Sequence, residues 1–188
     1  MGLDQYLEKS HYIGANYEHR AVQLEITCIE QVGSQYEKTL NIDVSKVSEI
    51  IESVGYWRKA NAIHQWFEYN TSFEGNSDRA YVGQDTLAEL RDTCLFIIQE
   101  CNLVDGIVQN GSSSKGDGQG LQPNFEAGET LEDAHLAMME LPTTSGFFFG
   151  STDYDQWYMA DVEDTYEMLT EILEDYDGSA SYYYTANW

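Results

Sequence analysis

Residues 56 to 67 read YWRKANAIHQWF and set two adjacent cations among aromatic rings and amide side chains. If this segment is a helix, Trp57, Arg58, Asn61, His64 and Gln65 share its polar side, which suits a planar or anionic ligand through cation–π and bidentate contacts. Trp57, Arg58, His64 and Trp66 are therefore one candidate site, for a small nucleotide-like molecule. The competing reading is structural and is favoured: Arg58 and Lys59 pair with the chain's own carboxylates, and His64 is a hydrogen-bonded interior residue. The motif alone is suggestive, not specific.

The second constellation is acidic. Of 188 residues, 33 are Asp or Glu and nine are Lys or Arg, for a formal net charge of -24. The division is uneven: residues 116 to 188 hold 16 of the acids and no Lys or Arg. Taken as a helix from Val162 at 100° per residue, the last long apolar-periodic segment gathers Tyr158, Val162, Tyr166, Leu169, Leu173 and Tyr176 in one sector. Asp161, Glu163, Asp164, Glu167, Glu171, Glu174 and Asp175 fall in the opposite arc, with no basic residue at i±3 or i±4. They span about 21 Å at 1.5 Å per residue, close to one charge per ~3 Å, where one DNA strand carries a phosphate every ~3.4 Å. An ordinary solvated face mixes signs, and like charges at i,i+4 each cost tenths of a kcal/mol, so an unrelieved acidic face calls for a functional reason. A halophilic origin explains an acidic chain less well, because residues 1 to 115 keep all nine basic residues.

The same charge excludes direct attraction to nucleic-acid phosphates or to an anionic membrane surface. No HExxH, GxSxG, GxxxxGK[ST] or GxGxxG occurs, and His11, His19, His64 and His135 lack metal-ligand spacing, so no catalytic residue, metal or cofactor is expected. GFFFGSTDYD is a poor phosphate cradle because Asp153 and Asp155 would repel the anion; Ser151, Thr152 or Asp153 as a helix N-cap is the better reading. With 33 acids, the Asp153 and Asp155 pair is expected by chance rather than as a cation site. Three cysteines without a CxxC pair argue against a disulfide framework, and Cys94 and Cys101 sit about 10 Å apart on a helix, beyond bonding reach. The opening MGLDQYLEKSH has neither a basic nor an apolar targeting region, and no apolar run of ~18 residues exists, so a cytoplasmic location is expected.

The elements that must position these groups follow from periodicity. Residues 20 to 42 read as a β-hairpin about Gly33-Ser34, and Val44, Val47, Ile50, Ile51 and Val54 as a helical face closed by Gly55. Helices are expected over 56 to 69 and over 85 to 101, the latter capped by Asp85 with the stripe Leu87, Leu90, Cys94, Ile97, Ile98 and Cys101. Residues 109 to 122 read as a flexible Gly/Ser-rich loop. Thr130 caps a short helix through Met139, GFFFG at 146 to 150 forms a short strand, and the last helix runs from Asp155 to Tyr176 before the terminal strand SYYYTANW. The expected fold is a single α+β domain over 1 to 188: a small antiparallel sheet covered by several helices, with a long acidic carboxyl-terminal helix followed by a terminal strand.

The blocks MGLDQYL, GYWRKANAIHQWF, LPTTSGFFFGSTDYDQWY and YYYTANW resemble a family of small, mostly uncharacterised proteins carried by tailed bacteriophages and prophages. The resemblance spreads over most of the chain, although the stretch at 109 to 122 departs from the family's shorter connection. It implies an accessory protein acting inside the infected bacterium, with no catalytic residue to carry over. Joined to the acidic helix, it leads to an expected function: an anti-defence inhibitor whose surface imitates the nucleic-acid backbone and occupies the basic nucleic-acid-binding groove of a host protein. A homodimer that aligns two acidic helices remains open.

Overall fold

The computed structural model describes residues 2–13, 30–31, 37–38, 43, 46–114, 121–146, 148–176 and 178–188. The elements run β1 (Asp4–Tyr12), β2 (Glu30–Gln31), β3 (Glu37–Lys38), β4 (Glu49–Arg58), α1 (Asn61–Asn70), β5 (Arg79–Val82), α2 (Gln84–Glu100), β6 (Leu103–Ser114), β7 (Leu121–Leu131), α3 (His135–Glu140), α4 (Gln156–Glu174) and β8 (Ser181–Asn187). The fold is α+β. Its main sheet has the order β4-β1-β8-β5, every pairing antiparallel, so the terminal strand lies inside the sheet beside the first.

Period-two alternation assigns the two sheet faces. Leu3, Gln5 and Leu7, Trp57, Ala80 and Val82, and Tyr182, Tyr184 and Ala186 are buried against the helices. The opposite face carries tyrosines: Tyr6 lies 5.3 Å from Tyr56, Tyr81 6.0 Å from Tyr183, and the Arg79 guanidinium sits 4.0 Å over the Tyr183 ring. Arg79 also bonds Glu8 and Glu49, so this face mixes charge signs in the ordinary way. α2 and α4 pack together over the buried face, α2 through Leu87, Leu90, Cys94 and Ile97, α4 through Tyr158, Met159, Val162, Thr165 and Leu169. Cys94 and Cys101 are buried and unbonded. No helix among the described residues is long and apolar enough to cross a membrane.

Several elements differ from the sequence expectation. The apolar set Val47, Ile50, Ile51 and Val54 is not a helix face: residues 49–58 form edge strand β4. A β-branched run favours extended backbone, and because one side of an edge strand meets solvent, Ile51 is exposed, mimicking a helical spacing. Gly55 does not stop a helix; a Cβ there would lie 2.6 Å from the Met168 sulfur and 3.0 Å from Leu7 Cβ, so it lets α4 approach the sheet. Tyr56, Trp57 and Arg58 consequently belong to β4, and α1 begins only at Asn61. β1 was hidden by its own pattern, since its inward positions include polar Gln5 and, opposite buried Tyr182, Lys9, while Ser10 is buried on the other face where it bonds Glu49; the irregularity between Leu7 and Glu8 skips Val54 of β4.

The 109–122 stretch is strand at both ends rather than loop: β6 and β7 pair through Gln109↔Phe125, Ser112↔Pro123 and Ser113↔Gln122, with an irregularity between Gln109 and Ser112. Thr130 lies in β7, and α3 starts at His135 after Ala134. Gly146 and Phe148–Gly150 form turns, not a strand. α2 is preceded by Gly83, with Asp85 inside its first turn. The expected hairpin over 20–42 lies largely outside the described residues; of its described residues, Glu30↔Lys38 and Gln31↔Glu37 pair antiparallel.

The core stripe of α4 yields a stability prediction. Leu169 is fully buried, and an unpaired charge there costs several kcal/mol against a total of about 5–15. Leu169→Asp is expected to abolish cooperative urea unfolding followed by circular dichroism, whereas a wild-type midpoint would show that α4 does not pack through this face.

Candidate functional site

The two candidate constellations part company in the structure. Trp57 is 4% exposed, Trp66 8% and His64 0%, so three of the four proposed ligand residues belong to the core. The Trp57 indole N–H donates to Thr165 Oγ1 at 2.8 Å, tying β4 to α4. His64 Nδ1 lies 2.7 Å from the Tyr184 hydroxyl, which itself donates to Gln5 Oε1 at 3.0 Å, so His64 is the donor of that pair. Burial pulls the His64 pKa down to about 4. Its Nε2 sits 3.5 Å from Glu68 Oε1 without a hydrogen bond, and the neutral imidazole makes this no ion pair at pH 7. Asn61 is likewise interior, Gln65 is half-buried, and only Arg58 of the original four faces solvent.

Arg58 and Lys59 instead form one wall of a groove of about 880 Å³. The other walls are the loop from Thr143 to Asp153, the hairpin segment Gln109–Ser112, and the first turns of α4 with Asp155, Trp157, Tyr158 and Asp161. Each wall is fixed by identifiable bonds. Asn61 Nδ2 donates to the Phe149 and Ser151 carbonyls, while its Oδ1 accepts from Thr144 N–H, stapling the loop to the start of α1. Leu131 N–H donates to the Tyr154 carbonyl and Glu129 N–H to Gln156 Oε1, clamping the hairpin to the start of α4. Lys59 has a positive φ of 62°, a left-handed conformation disfavoured for lysine. Gly150, itself at φ 90°, makes room for that turn, since a Cβ there would lie 3.3 Å from Lys59 Cβ.

The electrostatics of the groove are bipolar. Neither Arg58 nor Lys59 has a carboxylate within ion-pair distance among the described residues, whereas Lys46, Arg79 and Arg91 each do. Among the described residues the expected pairing of Arg58 and Lys59 with the chain's own acids is therefore not made; Asp4, opposite Arg58 in the β1–β4 register, takes the Tyr56 hydroxyl at 2.6 Å instead. On the α4 side, Asp155 is the N-cap, its Oδ1 accepting from the N–H groups of Trp157 and Tyr158. That assignment replaces Ser151, Thr152 or Asp153 as the cap. Asp155 is 1% exposed and its Oδ2 has no hydrogen-bond partner among the described residues. Asp161 is only partly exposed, and burial, reinforced by Asp164 and Asp155, pushes its carboxyl up to about 7.

Asp161 thus leaves the acidic face to which the sequence assigned it. At 260° from Val162 it sits beyond the arc of about 100–220° that holds the other six, toward the flank where Thr165 meets Trp57. Glu163, Asp164, Glu167, Glu171, Glu174 and Asp175 are exposed, and none has a Lys or Arg partner among the described residues. Among the described residues no cluster of three His, Cys, Asp or Glu side chains is placed to hold a metal. Sequence reasoning passed over Lys59, Asp155 and Trp157 as site residues; the available signal was an adjacent Arg-Lys pair at a strand end, which period-two reading of residues 53–57 would have exposed.

No protein family, curated protein or solved structure matches this chain.

Asp161 provides a pH test. Its folded-state pKa lies above the ordinary 3.8, so between those values the folded chain holds a proton that the unfolded chain has lost, and stability falls as pH rises through the window. Asp161→Asn removes the penalty, on the order of a few kcal/mol at pH 8. The variant is expected to melt several degrees above wild type at pH 8 and alongside it near pH 4. An equal gap at both values would show a well-solvated carboxylate.

Proposed function

We propose that the protein is an acidic binding protein that occupies a groove built for nucleic-acid phosphates on a protein of the host cytoplasm. The supporting observation is the disposition of Glu163, Asp164, Glu167, Glu171, Glu174 and Asp175, all exposed on one side of α4 and without cationic partners among the described residues. From Glu163 to Asp175 they run about 18 Å along the axis, one charge per ~3 Å, close to the phosphate repeat of a single strand.

A rigid helix is what makes this arrangement useful. α4 is 19 residues long, capped by Asp155 and held by buried Tyr158, Val162, Thr165 and Leu169, so its carboxylates are presented without an ordering cost at binding. A basic groove attracts them by the field it uses for phosphates, which gives fast and salt-sensitive association. The resemblance to phage-borne proteins makes a nucleic-acid-handling defence protein of the infected cell the partner of choice.

Replacing Asp164, Glu167, Glu171 and Asp175 together by Lys is expected to leave the circular dichroism spectrum and cooperative melting intact, because all four are exposed. The same change is expected to eliminate affinity capture of the host partner. Retention of that partner by the reversed protein would defeat the proposal.

A further inference from the structure

The groove beside the amino-terminal end of α4 is distinct from the acidic face, and its contents are chemically specific. We propose that it binds a nucleotide, with the phosphate on Arg58 and Lys59, the base against Trp157, and ribose hydroxyls on Asp155 and Asp161.

Four observations converge on this ligand. A chain of net charge -24 leaves two adjacent cations without a carboxylate partner among the described residues, and both line the same groove. In so acidic a protein an available Arg is readily paired, and the structure directs Asp4 to Tyr56 instead; a guanidinium beside an ammonium is a site for a phosphate or other oxyanion. In the same groove, Asp155 is 1% exposed and its Oδ2 accepts no bond among the described residues. A buried acceptor without a donor is costly, and a ligand hydroxyl or amine would supply that donor.

The third observation is Trp157. It is 52% exposed at the groove wall, where a rigid ring gives a base a stacking surface. The fourth is size, since about 880 Å³ falls in the range of small-ligand pockets and admits one or two nucleotides. The shifted carboxyl of Asp161 fits the same chemistry. Near pH 7 it exists in both protonation states, so it can donate to or accept from a hydroxyl, and its neutral form lessens repulsion of a phosphate. An inorganic anion alone leaves Asp155 Oδ2 and Trp157 unused; a neutral sugar leaves the two cations unused.

The frame holding these groups is rigid. Asn61 fixes the Thr143–Ser151 loop through three bonds, and Gly150 admits the left-handed turn at Lys59. The strained lysine is thereby held where the groove begins.

The test is calorimetric titration of the intact chain with the four ribonucleoside 5′-monophosphates, the dinucleotide pApA, ribose 5-phosphate and inorganic phosphate. Tryptophan fluorescence is followed in parallel. At least one nucleotide is expected to bind and to quench fluorescence, with inorganic phosphate and ribose 5-phosphate weaker. Arg58→Gln and Lys59→Gln, both at exposed positions, are expected to raise the nucleotide Kd roughly tenfold or more. Trp157→Phe should remove the quenching while leaving binding measurable. Absence of binding by every nucleotide overturns the proposal, as does a Kd unchanged in both cation variants. Inorganic phosphate binding as tightly as the best nucleotide would also overturn it, reducing the groove to a simple anion site. Each of these results is independent of the α4 charge reversal, which leaves Arg58, Lys59, Trp157 and Asp155 untouched.

Discussion

A closed ring of buried hydrogen bonds holds the fold together. His64 Nδ1–H donates to the Tyr184 hydroxyl, Tyr184 to Gln5 Oε1, Gln5 Nε2 to the Ala60 carbonyl at 3.2 Å, and Ala60 also accepts from His64 N–H at 3.0 Å. The three side chains come from α1, β8 and β1, and all are fully buried. Inside a protein such a network is strong when satisfied and costly when broken. Phe67 stacks on Tyr184 at 4.1 Å, and Phe73, Phe149 and Trp188 surround His64 edge-on, so the imidazole stays neutral and the rings exclude water. The walls of the groove hang from this knot. It sets the register of α1 against the sheet, hence the turn that carries Arg58 and Lys59, and through Asn61 the loop that leads into α4.

α4 then does two jobs from two flanks. The sector around Val162 fills the core, the arc from Glu163 to Asp175 faces solvent, and Asp161 lies between that arc and the sheet, where burial keeps its carboxyl protonatable. Like charges at i,i+4, such as Glu163 and Glu167 or Glu167 and Glu171, oppose the helix by tenths of a kcal/mol each. Packing against α2 and the sheet outweighs them. The Arg79 network neutralises Glu8 and Glu49 on the tyrosine face, whereas exposed acids such as Glu126, Glu129, Glu132 and Glu140 lack a Lys or Arg partner among the described residues, as those of α4 do; what sets α4 apart is the regular spacing of its acids along one helix face.

What the sequence made legible, and what it hid, follows from physics at particular residues. α2, α4 and β8 are long or strictly alternating, and each was readable because a buried stripe of Leu, Ile, Val or Tyr dictates its period. β4 departs from the sequence expectation because Ile50, Ile51 and Val54 fit a helix by spacing while β-branching and an edge position make them strand. β1 and the β6–β7 hairpin escaped because polar Gln5 faces inward in one and Ser and Gly occupy paired positions in the other. The acidic face was visible except for Asp161. The groove was not, because its residues come from segments between 58 and 161 that only the tertiary fold brings together.

In the proposed binding mode the α4 carboxylates stand in for phosphates. The direct measurement is the equilibrium affinity of the wild-type protein for its captured host partner across salt concentrations, with duplex DNA as competitor. DNA and protein are expected to exclude one another from the partner, and log K to fall steeply and linearly with log salt, as for a phosphate-reading groove. Simultaneous binding of DNA and protein, or an affinity indifferent to salt, would contradict it.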